Sequence, residues 1–333
     1  MFVTICIGIG SAHLDRGDLP EALGWFKLAV GLVALQGKHG SLAACAFVKM
    51  GSIYNVKCAF VKAIEAFDKA IQINSNIREA YNGKINSLFK LGYVDQAIIA
   101  QGLRDKADNF KNKLYLLNYS GMMSREEVTR RHQEWGRLIR ACVGPIPRPV
   151  PPDPRPDRPL VVGYISPDLR DNVVSCFLDA AVRHRNKGEF RVVLYYTGGR
   201  PEDDVSRRLR AIADGWHNVH RLTIPEVADR IRGDGVDVLV DLAGHTADSK
   251  QDAFTGSGPL AFAPFPLAVM ARRPAPVQVT WLGYGNTTGL DCVDYRITDA
   301  LADPAGTPQR YAEELWRLPG PFLCFTPPPE CLA

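Results

Sequence analysis

The sequence predicts an α plus α/β protein: N-terminal helical repeats followed by an open, doubly wound α/β layer. Three observations carry this reading. A short pattern recurs at an offset of 34 residues near the N-terminus, a proline-dense stretch interrupts the chain, and beyond it apolar, β-branched runs alternate with helical segments. The 333 residues, 46% hydrophobic and 23% charged, are enough for two domains and exclude a collagen-like, wholly disordered or disulfide-stapled chain.

The repeats come first in the chain. Cys58-Ala59-Phe60-Val61-Lys62-Ala63-Ile64 aligns with Gly92-Tyr93-Val94-Asp95-Gln96-Ala97-Ile98, the period of the tetratricopeptide helix pair. In a unit from about 44 to 77, Gly51 marks a close helix approach, Tyr54 fills a groove, and Ala63, Phe67 and Ala70 form a packing face. Gly17, Ala22, Phe26 and Ala29 repeat half of this pattern in a unit from about 3 to 36, with a joint at Gly37 to Gly40. About three repeats therefore occupy residues 1–110. Such arrays stack into a superhelix whose concave face holds extended peptide, which points to protein or peptide partners.

Residues 111–144 read as connector helices. Ser124-Arg125-Glu126-Glu127 is a capping box that predicts a helix start, with Ser124 and Glu127 satisfying free amides. Val128, Trp135, Leu138, Ile139 and Cys142 follow at helical spacing. Eight prolines between Pro145 and Pro159 then forbid helix and sheet interior, and the domain boundary is expected there, at 145–159.

The α/β layer follows from 160 to 333. Runs at 160–165, 192–196, 236–242 and 277–282 predict buried parallel strands, and segments near 173–186, 202–213 and 225–233 predict the helices between them. Ligands in such layers bind beyond the carboxyl ends of the strands. The loops to search are therefore Ser166-Pro167-Asp168, Thr197-Gly198-Gly199, Gly244-His245-Thr246 and Asn286-Thr287-Thr288-Gly289.

His245 is a candidate for proton handling, because an imidazole titrates near neutral pH; a histidine hydrogen-bonded structurally at a strand end fits the same pattern. Asn286, Thr287, Thr288 and Gly289 offer amides and hydroxyls suited to a phosphate or sugar, or simply make a turn. No phosphate-loop, dinucleotide, nucleophile-elbow or paired-histidine metalloprotease motif is present. The formal charge of +4 is too small to indicate a nucleic acid partner. The eight cysteines form no zinc-ligand spacing and read as reduced, buried thiols, and the apolar start Met1 to Gly10 is too short to span a bilayer.

Longer motifs carry a resemblance. Arg273-Pro274-Ala275-Pro276-Val277-Gln278-Val279-Thr280-Trp281-Leu282-Gly283-Tyr284, with Asn286 to Leu290 and Asp294-Tyr295-Arg296-Ile297-Thr298-Asp299 after it, closely resembles the protein O-glycosyltransferase family of O-GlcNAc transferase and SPINDLY. Val162 to Asp168, Asp237 to Thr246, Arg317-Leu318-Pro319 and His132 to Gly136 match in the same order, and the resemblance leans to the plant-type SPINDLY branch. It implies repeats that hold protein acceptors and a catalytic region of two Rossmann-like lobes, of which this chain carries the N-terminal one. It further implies transfer of fucose or GlcNAc from GDP-fucose or UDP-GlcNAc to Ser or Thr of nuclear and cytoplasmic proteins, with no cofactor, metal, nucleic acid or membrane involved.

Three departures temper the resemblance. The family places a histidine where this chain has Asn172, and an amide is no general base. Residues 251–266 form an insertion that the family pattern lacks, read equally as a flexible excursion or as a misassigned or retained segment of the gene. The chain stops at Ala333, where the family continues into a second lobe, so it reads as a partial form with little or no activity alone. His245 and Thr246 are expected to line the cleft, Asn286 to Gly289 to shape its sugar or diphosphate side, and Asp168 to orient the loop holding Asn172. The alternative is a non-catalytic, peptide-binding adaptor derived from the family.

Overall fold

The computed structural model describes residues 2–36, 40–105, 114–144, 146–150, 157–247, 263–307 and 309–325. Two compact units divide the chain, Met1–Asn112 with Tyr119–Met122, and Lys113–Asn118 with Met123–Ala333. The division falls ahead of the connector helix, whereas the sequence puts a boundary at the proline-rich stretch.

The first unit is three helix pairs, α1 (Phe2–Asp15) with α2 (Leu19–Gln36), α3 (Gly40–Val56) with α4 (Phe60–Ile73), and α5 (Arg78–Lys90) with α6 (Val94–Asp105). Glycine–aromatic contacts set their spacing. A Cβ on Gly51 would lie 2.6 Å from the Phe67 ring and one on Gly83 would lie 2.1 Å from it, so Phe67, 1% exposed, fills the clearance of two glycines. Ala63 and Ala70 are fully buried beside it. The turn inside each pair needs a left-handed residue, supplied by Gly17, by Cys58 at φ 55° and by Gly92. Only the cysteine carries a Cβ into that conformation, at a cost of about 1 kcal/mol. Gly37 to His39 of the expected joint lie outside the described residues.

The second unit opens with a 3-10 turn at Leu114–Tyr119 and helix α7 (Arg125–Val143). Ser124 caps α7 by accepting from the Glu127 amide at 3.2 Å. The reciprocal half of the expected box is not made, because the Glu127 carboxylate accepts from Arg130 and Arg131 instead; those guanidiniums hold its pKa down to about 2. Arg148 and Arg158, from the proline-rich stretch, bind the Pro276 carbonyl (2.7 Å) and the Asp237 carboxylate (2.6 Å), tying that stretch to the sheet.

Seven strands, all parallel, then form one sheet in the order β3-β2-β1-β4-β5-β6-β7. They are β1 (Leu160–Ser166), β2 (Phe190–Tyr196), β3 (Gly215–Asn218), β4 (Val238–Asp241), β5 (Val277–Thr280), β6 (Tyr295–Asp299) and β7 (Glu314–Leu318). Helices α8 (Val173–Arg183), α9 (Asp204–Ile212), α10 (Ile224–Gly233) and α11 (Phe265–Met270) accompany the sheet among the described residues. Alternate strand residues feed two cores. Ile165, Val193, Tyr195 and Leu239 pack with α10, α11 and Trp135 of α7, while Val192, Leu194, Tyr196 and Val240 pack with α8 and α9. β1 to β3 run outward on one side and β4 to β7 on the other, so the order reverses between β1 and β4 and opens a crevice at their carboxyl ends.

Two expectations change. Residues 251–262 of the insertion lie outside the described residues, but its end is no excursion: Phe265, 2% exposed, begins α11, whose six residues are all buried in the core. An apolar run started by a proline at the first helical turn explains this. Of the cysteines, the seven described are free thiols and only Cys6 and Cys292 are buried, while Cys58 and Cys142 are exposed.

Candidate functional site

The loop after β1 is fixed by its own polar atoms. The Asp168 amide donates to Ser166 Oγ (3.0 Å) and Ser175 Oγ donates to the Asp168 carbonyl (2.8 Å). Asn172 caps α8, accepting from the Val174 amide at 2.9 Å while its Nδ2 donates to Asp168 Oδ1 at 3.0 Å. After β4, the fully buried Asp241 carboxylate accepts from the Ala243 and Gly244 amides and from Thr280 Oγ1, and burial still raises its pKa to about 6. It holds the short 3-10 turn Gly244–Thr246. After β5, Leu282 (φ 58°) and Gly283 (φ 48°) are both left-handed, and a Cβ on Gly283 would meet the Leu242 carbonyl oxygen at 2.1 Å. Leu282 is thus a strained residue at a strand exit.

These loops enclose two cavities of about 530 Å³ each. The first is lined by α8, by the Leu282–Gly285 turn, and by Arg296, Phe322 and Leu323. The second runs toward the loop after β2 and carries Arg170, Thr197, Gly198, Gly199, Arg200 and His220. Asp168, Asn172 and Thr246 stand in the walls of both. Three of the residues expected from the sequence therefore converge on one partition at the β1/β4 reversal.

The others turn away from it. His245 is 6% exposed and lines neither cavity. Its Nε2–H donates to the Thr288 carbonyl (2.8 Å), and its ring packs edge-on against Trp135 at 4.5 Å, His132 at 5.1 Å and Tyr284 at 5.2 Å. Burial, with His132 beside it, drives its pKa far below the usual histidine range, so it stays neutral. Its geometry is that of a histidine hydrogen-bonded structurally at a strand end.

Thr287 and Thr288 are fully buried and are taken up by Glu313. Thr287 Oγ1 donates to Oε2 (2.7 Å), and the Thr288 amide (2.7 Å) and hydroxyl donate to Oε1. Asn286 is held by Asn118 and Gln309. Gly289 (φ 77°) lies against α7: a Cβ there would reach the His132 carbonyl oxygen at 2.1 Å, and one on Gly136 would reach the Gly289 carbonyl oxygen at 1.9 Å. His132 completes the clamp. Its Nδ1–H donates to the Val128 carbonyl (2.7 Å), its Nε2 accepts from the Tyr284 hydroxyl (2.6 Å), and burial lowers its pKa to about 4. No side chain from Asn286 to Gly289 faces either cavity. Glu313 and Asn118 escape sequence reasoning because neither sits in a patterned segment; His132, inside a connector motif, could have been found by that position.

A parallel sheet with its ligand crevice at the strand-order reversal, built from polar strand-exit loops, defines a Rossmann-like ligand-binding lobe. The chain belongs to glycosyl transferase family 41, whose sequence pattern matches residues 150–325. Among curated proteins it is similar to the probable UDP-N-acetylglucosamine–peptide N-acetylglucosaminyltransferase SPINDLY of Oryza sativa, 36% identical over 271 residues, 80% of this chain and 24% of that protein. The SPINDLY of Solanum lycopersicum is 38% identical over 231 residues, 68% of this chain and 23% of that protein. Among solved structures, an O-GlcNAc transferase mutant of Thermobaculum terrenum matches 99% of this chain and 59% of its own, at 25% identity and a TM-score of 0.76. The chain thus spans about a quarter of the length of the curated relatives it matches. No helix among the described residues is long and apolar enough to cross a membrane.

Proposed function

We propose that this chain is the acceptor-side part of a protein O-glycosyltransferase, serving transfer of fucose or GlcNAc from GDP-fucose or UDP-GlcNAc to Ser or Thr of nuclear and cytoplasmic proteins. The observation that carries the reading is the partition of Asp168, Asn172 and Thr246 between two open cavities at the β1/β4 reversal. The first cavity, with an apolar wall of Val173, Phe177 and Leu282 and polar groups at Asp168, Asn172 and Thr246, suits a sugar ring meeting a hydroxyl. Asp168 is the one carboxylate on its described walls and holds Asn172 in place. The reading places peptide recognition in the helical repeats and assigns no metal or cofactor.

A second reading, peptide binding without transfer, is favoured by Asn172 itself: its amide is committed to the α8 cap and to Asp168 and takes no proton from an attacking hydroxyl. Incubating the chain with each radiolabelled donor and a serine peptide separates the two. Transfer that falls at least about tenfold in Asp168→Asn, with unchanged peptide binding, supports the transferase. Peptide binding with no labelled product, also after Asn172→His, supports the adaptor.

A further inference from the structure

The second cavity has properties that sugar transfer leaves unused. Its walls carry two guanidiniums, Arg170 and Arg200, and the His220 imidazole, with one carboxylate, Asp168. That carboxylate already accepts from Asn172. Arg170 Nε is ion-paired with Asp203 Oδ2 at 3.6 Å, beyond hydrogen-bond distance. Asp203 itself accepts from the Asp171 amide (2.8 Å) and, as the cap of α9, from the Ser206 amide (2.9 Å). Arg200 is exposed. With Arg170 and Asp203 paired, the exposed Arg200 guanidinium is the cation this cavity offers an anion.

An independent observation points the same way. Thr197 is 5% exposed, and its hydroxyl has no hydrogen-bond partner among the described residues, although it stands in the wall of an open cavity. An unmatched buried hydroxyl is costly unless something supplies the missing bond. The bare glycines after it let neighbours close in: a Cβ on Gly199 would lie 2.7 Å from the His220 ring. A buried, unmatched hydroxyl on a glycine turn, in one cavity wall with Arg170 and Arg200, is the chemistry that recognises oxyanions.

We infer that this cavity receives an acidic side chain of the acceptor peptide, a carboxylate or a phosphate, next to the hydroxyl that receives the sugar. The inference rests on the transferase reading, since a peptide acceptor is what would bring such a group beside the first cavity.

The test needs no donor sugar. The isotope-labelled chain is titrated with four probes: a serine peptide flanked by alanines, the same peptide with an aspartate, the same with a phosphoserine, and inorganic phosphate. The amide resonances of Thr197, Gly198 and Gly199 are followed. At least one acidic peptide should bind about tenfold more tightly than the neutral one, and its identity tells carboxylate from phosphate. Arg200→Ala, at an exposed side chain that the fold does not need, should abolish that preference, and Thr197→Val should weaken it. Equal affinity for neutral and acidic peptides, a preference that survives Arg200→Ala, or shifts given by inorganic phosphate alone would each overturn the inference. Its failure is separable from that of the transferase reading: a chain that prefers acidic peptides but transfers nothing keeps the peptide subsite, and one that transfers without the preference keeps only the transferase.

Discussion

Two polar clusters at the carboxyl ends of the same sheet have opposite fates. Around Asp168, Asn172 and Thr246 the residues line open cavities, with Asn172 donating to Asp168 and Thr246 to the Ala243 carbonyl. Around His245, Thr287 and Thr288 the groups face one another and α7, and Glu313 and the Thr288 carbonyl take up their donors. Both clusters are polar and both contain threonine. What separates a binding surface from a structural clamp is whether the pairing closes within the protein, because a closed buried network gains rigidity and has little left for a ligand.

The contrast is testable, and the largest effect should come from the clamp. Gly136→Val puts a side chain where 1.9 Å is available to its first atom. The expected loss is about 4 kcal/mol or more, read from the urea midpoint; a loss below 1 kcal/mol would mean that α7 does not grip the turn. Next comes acid sensitivity. His132 titrates near 4 in the fold against 6.5 ordinarily, so the unfolded chain takes up the proton first. Its contribution is complete above about pH 6.5 and is lost as pH falls toward 4, by roughly 3 kcal/mol. Asp241, raised from 3.8 to about 6, works oppositely, its contribution fading as pH rises through 6. His132→Gln should therefore lose about 3 kcal/mol less than the parent between pH 7 and 4, and parallel pH profiles would refute the assignment.

Smaller effects sharpen the comparison. Thr287→Val removes one donor from Glu313 and the acceptor of the Gly289 and Ala312 amides, for an expected cost of about 2 kcal/mol. On the open side, Asn172→Ala should cost only about 1 kcal/mol, the value of a helix cap, as its link to Asp168 is half-exposed. A thermal melt in which Asn172→Ala proved more damaging than Thr287→Val would erase the distinction between the clusters.

Much of the fold is legible in the sequence, for physical reasons. The 34-residue period shows because the same small residue is buried in successive helix pairs, as Ala63 and Ala97 are, both fully buried 34 residues apart. β1, β2, β4 and β5 show because both their faces are covered, which requires unbroken apolar runs. β3, Gly-Trp-His-Asn, and β7, with three of its five residues exposed, are edge strands that need no such run. The site is harder to read. His245 and Thr246 are neighbours on one 3-10 turn, yet one is sealed behind α7 and the other reaches both cavities. Residue type reveals a capacity for chemistry; direction belongs to the backbone, and a left-handed pair such as Leu282 and Gly283 leaves little trace in composition.

The pairing of Gly136 with Gly289 also bears on how the protein is born. A ribosome extends the chain from its N-terminus at roughly 5–20 residues per second, and roughly 150 residues separate the two glycines. Helix α7 therefore emerges, with Trp135 and Ile139 bare, on the order of 10–30 s before the turn that is to cover it exists. Through that interval its apolar stripe is open to nascent-chain binders, and synthesis stalled anywhere before Gly289 leaves a helix whose mate has not been made.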